Sequence, residues 1–293
     1  MSERTSHESK SCVSVDINST ADQQHYQLGS LALSDMVRLG RAVRQMNGGA
    51  DSMEEVANRM VHHFFNAFVD AGTGDKEVAL VRFFKTQSYG QLDGELQAAA
   101  RALVSSEQLK DHTKCLVLMA TAEISPEWNS RQSSSGHRAI PLVSEEAVAG
   151  IPMIASLIQQ FGLPLAYIID AAPELIIELD ERSYNVFHVE QALNSPYIPA
   201  QESFVVPFGI QSVLGFGGML PTGNLFAVII FAKTRIPLST CEAFRTIALS
   251  VKTAIVPFED ASVFQPNVAP RQNAPSSGAL RPERTGGLVL CQA

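Results

Sequence analysis

Apolar residues recur at helical spacing over two stretches early in the chain. Leu33, Met36, Val37, Gly40, Val43 and Met46 fall on one face, and the run stops at Asn47-Gly48-Gly49, a helix-ending signal. A second helix is predicted from Asp51, with Glu54 three residues on completing a capping box. Its stripe is Met53, Val56, Ala57, Met60, Val61, Phe64, Phe65 and Phe68. That spacing holds over the whole segment and is the strongest amphipathic signal in the chain.

The period then shortens. Residues 77–86, rich in Val and Phe and bounded by Gly72-Thr-Gly74 and Ser88-Tyr-Gly90, read as a strand. A short helix over 93–104 and a strand over 114–121 follow. Residues 137–142 predict a third, short strand, placed near a sheet edge by Pro141. Ser144 opens a helix reaching Phe161, which Pro152 is expected to kink or split. Residues 163–205 carry no clear period and read as short strands joined by long loops. The runs 209–220 and 225–233 flank Pro221-Thr-Gly-Asn224 and predict an antiparallel hairpin. Ser239 with Glu242 predicts another capping box. Cys241, Phe244, Ile247, Ala248, Val251 and Ile255 form the stripe of a last helix, ended by Pro257. Helices on either side of an antiparallel sheet in the chain order give an α+β class. Irregular chain over one sheet face is where such domains place a pocket.

Composition sets the limits of the folded part. The chain has 293 residues, 45% of them hydrophobic and 18% charged, enough apolar content for a packed core. Residues 1–27 lack apolar periodicity, and residues 259–293 hold Pro266, Pro270, Pro275 and Pro282 among Gly and Ser. Both are expected to be flexible, disordered tails around one domain at 28–258. The formal net charge of −8 and a pI near 5.4 argue against nucleic acid as a partner. No apolar stretch is long enough for membrane insertion, and residues 1–24 lack the apolar core of a secretory signal, so a cytoplasmic protein is expected. Cys12, Cys115, Cys241 and Cys291 are far apart with no C-x-x-C pair, which favours free thiols, buried at Cys115 and Cys241.

Catalytic motifs are missing from the sequence. Gly215-Phe-Gly217-Gly218 sits before a hairpin turn rather than between a strand and a helix, so a bulged or closely packed strand accounts for it better than a phosphate loop. None of the seven histidines is paired at metal-binding spacing, and no metal site is expected.

Several segments together resemble a GAF-like sensory domain of bacterial signalling proteins, of the kind found ahead of histidine kinase or diguanylate cyclase modules. They are residues 80–86 (LVRFFKT), 128–131 (WNSR), 135–142 (SGHRAIPL), 187–189 (FHV), 195–201 (SPYIPAQ), 204–210 (FVVPFGI) and 212–218 (SVLGFGG). The resemblance spans roughly 28–258. It implies a central antiparallel sheet with flanking helices that often pair two protomers, and a small-molecule pocket between sheet and overlying loops. After Phe258 the sequence holds no kinase phospho-acceptor helix, nucleotide-binding region or cyclase signature. The resemblance therefore implies a non-enzymatic sensor acting through a partner such as a kinase or cyclase. The alternatives are a dimeric adaptor without a ligand and an enzyme of unrecognised class.

Two stretches are candidate ligand contacts. Trp128, Asn129, Arg131, His137 and Arg138 supply an aromatic face, an amide and two guanidiniums, a set suited to an anionic or planar ligand. The alternative is that Arg131 and Arg138 pair with carboxylates while Trp128 fills the core. His188 and Tyr197 supply switchable polar groups beside Pro196 and Pro199; the alternative is that they are satisfied structural polar residues. A sensor of this type admits a haem on His188 or His137, or another small molecule, as cofactor; no motif selects one. The stripes of the first and last helices suit a homodimer as well as the core.

Overall fold

Two adjacent residues compete to open the second helix, and Ser52 takes the place. Its hydroxyl accepts the Glu55 N–H at 3.2 Å, and Glu55 reaches back to the Asp51 N–H at 3.0 Å. The predicted cap thus moves one residue on: Ser52 caps the helix, and Glu55 rather than Glu54 reaches back, to the amide before the cap. The structure is a computed structural model that describes residues 25–124, 138–162, 168–169, 185–259 and 263–264.

The described helices are α1 (Leu33–Arg44), α2 (Met53–Ala67), α3 (Gly94–Arg101), α4 (Glu145–Ala149), α5 (Pro152–Gln160) and α6 (Leu238–Ile255). The strands are β1 (Val78–Ser88), β2 (Lys114–Glu123), β3 (Ala139–Pro141), β4 (Asn185–Val189), β5 (Ser212–Met219) and β6 (Leu225–Ala232). They form one sheet in the order β3-β2-β1-β6-β5-β4, and every neighbouring pair is antiparallel. The fold is therefore the expected α+β one, a central antiparallel sheet with flanking helices.

The sheet has two different faces because its strands alternate. Val81, Phe83, Val117, Leu214, Phe216, Val228 and Ile230 point to one side, where they pack with α1, α2, α3 and α6. Leu80, Phe84, Leu116, Leu118, Val213, Ile229 and Phe231 point to the other, under α4, α5 and the loop that carries Ala192 and Ile198. Every residue of the predicted α2 stripe is buried on the helical side, and so is the stripe of α6. Gly40 lets α1 approach α6: a Cβ there would lie 3.0 Å from Ser250 Oγ, which also accepts the Arg44 guanidinium at 2.8 Å.

Three local expectations are revised or sharpened. Pro152 splits the predicted helix into α4 and α5 rather than bending it, since proline suits a first helical turn and not an interior. Ser239 does not cap α6, which already begins at Leu238 after Pro237, with no side-chain cap. Gly217 is a point of close strand packing, where a Cβ would fall on the Phe226 carbonyl oxygen.

Contacts reach past the expected bounds of the core. Tyr26 bridges to Phe68 before residue 28, and Val263 and Phe264 pack on the helical core beyond residue 258. At one sheet edge the His188 N–H donates to the Gln160 side chain at 3.0 Å, and Asn185 Nδ2 donates to the Phe161 carbonyl. The opposite edge ends in Pro141. Among the described residues no helix is long and apolar enough to cross a membrane.

Candidate functional site

On the loop-covered face, the polar side chains of Arg82, Thr121 and Glu123 stand among apolar ones. Arg82 lies between Val81 and Phe83, which face the helices, so alternation turns it to the opposite side with Leu80 and Phe84. On β2, Thr121 and Glu123 flank Ala122, which also faces the helices. The register sets Arg82 directly opposite Thr121 and Leu80 opposite Glu123, which brings the three into one cluster across β1 and β2. Ile229 of β6 stands on the other flank of Arg82.

The cluster is largely removed from water. Thr121 and Glu123 are buried, and Arg82 is half-buried. Among the described residues the Thr121 hydroxyl has no hydrogen-bond partner. Burial pushes the Glu123 carboxyl up to about 7, against the pull of the Arg82 guanidinium. A fixed cation, a hydroxyl able to donate or accept, and a carboxyl that changes protonation near neutrality thus meet on one patch. Such a set can hold a small acidic or multiply hydrogen-bonding group, with the protonation of Glu123 deciding how strongly Arg82 is engaged.

Of the residues singled out from sequence, Arg138, His188 and Tyr197 are among the described ones, and they lie on separate elements. Trp128, Asn129, Arg131 and His137 lie outside the described residues. Arg138 precedes β3, its carbonyl accepts the Leu118 N–H at 3.0 Å, and its guanidinium donates to Glu95 of α3 at 2.9 Å. This is the carboxylate pairing weighed above for that arginine. His188 is on β4 at the far edge of the sheet and shares a face with Val186, which packs on the helical core. Its Nε2 is buried without a partner among the described residues, and burial lowers its pKa against a hydrogen bond to Ile236 and the nearby Glu190. Tyr197 is 39% exposed in the loop after β4. Arg138 and His188 therefore lie at opposite edges of the sheet.

That loop is held by a residue that sequence reasoning passed over. Gln201 accepts the Asn194 N–H at 2.8 Å and donates to the carbonyls of Ile198 and Ala192 at 2.7 and 3.0 Å. Asn194 adopts a φ of 59°, the left-handed region that asparagine tolerates.

Solved GAF domains are similar to this chain in structure. One is the GAF domain of an Acinetobacter phosphoenolpyruvate-protein phosphotransferase, at 15% identity over 76% of this chain and 93% of that one, with a TM-score of 0.36. Another is the chromophore-binding domain of a bacteriophytochrome from R. palustris, at 9% identity over 80% of this chain and 64% of that one, with a TM-score of 0.39. A third is the phycoerythrobilin-bound GAF domain of a cyanobacterial phytochrome, at 11% identity over 78% and 95% of the two chains, with a TM-score of 0.34. No family model matches the sequence, and no curated protein matches it.

Proposed function

We propose that this chain is a non-enzymatic, GAF-like sensory or regulatory module of bacterial signal transduction, cytoplasmic, which takes up a small molecule on the loop-covered sheet face and acts through a partner protein such as a kinase or cyclase. The observation that carries this reading is the polar cluster of Arg82, Thr121 and Glu123 set into an apolar face. Within it the buried Thr121 hydroxyl has no hydrogen-bond partner among the described residues, and a ligand is one means of satisfying such a group. The chain leaves β2 just beyond Glu123 and returns at β3, and the intervening segment holds Trp128, Asn129, Arg131 and His137. In this reading that segment supplies the remaining ligand contacts.

The test is to purify the protein natively, record its mass and absorbance spectrum, and follow its thermal midpoint against a metabolite library. A bound compound, or a midpoint shift that Thr121→Val abolishes, is the expected result. A colourless, ligand-free protein with no responding compound would defeat the reading. That outcome would favour a dimeric interaction module, for which the exposed Leu33 and Val37 of α1 and Leu238 and Leu249 of α6 speak.

A further inference from the structure

The chain leaving α6 turns back onto the fold. A 3-10 turn spans Val256–Phe258, and Val256, Phe258, Val263 and Phe264 all pack on the helical core. The Val263 carbonyl accepts the Glu54 N–H at 2.9 Å. That N–H belongs to the first turn of α2, where amides have no acceptor within their own helix. The next one, of Glu55, is taken by Ser52. The segment after α6 thus completes the start of α2.

Between these anchors Glu259 is buried, and a relay of polar groups meets it. The Thr222 hydroxyl donates to Glu259 Oε1 and accepts Asn224 Nδ2 at 2.8 Å. Asn224 Oδ1 accepts Lys114 Nζ at 2.6 Å. Thr86 joins from the end of β1, accepting the Leu225 N–H at 2.7 Å and reaching Asn224 Oδ1 at 3.4 Å. The carboxylate of the C-terminal segment and the ammonium at the start of β2 are therefore linked through the β5–β6 turn. A buried carboxylate persists only where its acceptors are filled, so this relay specifies where the segment lies.

We infer that Val256, Phe258, Glu259, Val263 and Phe264 anchor a strap that fastens the chain beyond α6 to the β5–β6 turn and to the first turn of α2. Loosening the strap at the β5–β6 turn is thereby felt at the first turn of α2, where Val263 supplies the acceptor for Glu54. The inference does not depend on a ligand at the loop-covered face.

Hydrogen exchange on the full chain tests it, comparing wild type with Thr222→Val and Glu259→Gln. Thr222→Val keeps the side-chain shape and removes the donor to Glu259. The Glu54 amide, whose acceptor is Val263, is expected to exchange about tenfold faster in this variant, while amides within β1 and β6 keep their protection. Should Thr222→Val fail to fold, Glu259→Gln gives a smaller shift in the same direction, because it replaces the charge-assisted hydrogen bond from Thr222 with a weaker neutral one. An unchanged Glu54 amide in the folded variants would overturn the strap. So would uniform acceleration across the sheet, which would make the relay part of global stability alone.

Discussion

Gly217 faces the ring of Phe161 so closely that a Cβ on the glycine would come within 3.0 Å of Cε2. The same atom would lie 2.9 Å from the Ala227 Cα on the neighbouring strand and would fall on the Phe226 carbonyl. A ring can rotate aside, but a hydrogen-bonded strand backbone in mid-sheet cannot. Gly217→Ala is expected to cost about 3 kcal/mol or more, read as a lower denaturant midpoint with an unchanged slope. A loss near zero would mean that β5 and β6 separate more easily than their ladder indicates.

The carboxyl of Glu123 makes stability depend on pH in a definite direction. Its pKa is raised in the fold, to about 7 from an ordinary value of 4.5, so the protonated form is favoured by folding. The contribution is full below the ordinary value and is lost as pH rises through about 7, by up to about 3 kcal/mol. Glu123→Gln should remove this decline. Unfolding measured across that range should show the difference between the two proteins growing toward alkaline pH; parallel curves would refute the assignment.

Both described thiols should be inert. Burial pushes the thiols of Cys115 and Cys241 up to about 12, and neither is in a disulfide. Alkylation of the native protein at about pH 8, mapped by mass spectrometry, should leave both unmodified, and denaturant should expose both. Rapid native labelling of either would show that α6 or β2 opens far more readily than its packing implies.

The exposed leucines give a separate readout of association. Leu33 is 82% exposed and Leu249 50% exposed, on the helices α1 and α6 that pack together. If these helices pair two copies, Leu33→Glu with Leu249→Glu should convert a dimer to a monomer in sedimentation while the thermal midpoint of the fold is kept. Identical sedimentation would place any dimer contact elsewhere.

Residue spacing alone identified the helices, because the stripes from Met53 to Phe68 and from Cys241 to Ile255 are set by burial on one face. Helix starts were less legible. Asp51 and Ser52 are both good caps, and only the reach of Glu55 decides between them. At α6, Pro237 fixes the entry before Ser239 can act as a cap. β4 was hidden because it is five residues long and its partner lies in a distant segment. The side taken by His188 follows from where that strand begins. Arg82 stands within a Val and Phe run and Thr121 at the end of another, and nothing in either segment marks them as a pair. Their meeting depends on the register between β1 and β2, which no local pattern encodes. Arg138 pairs with Glu95 of α3, a contact across elements that spacing in the sequence does not reveal.

The side chains at the rim of β4 have one more consequence. An outer strand with unpaired amides and carbonyls is a template onto which another polypeptide can add. Gln160 occupies the outward amide of His188, and Asn185 binds back to Phe161, so α5 closes that rim. At the opposite rim, Pro141 has no amide hydrogen to offer. Each rim therefore offers one backbone donor fewer to an incoming strand than a bare edge of the same length would.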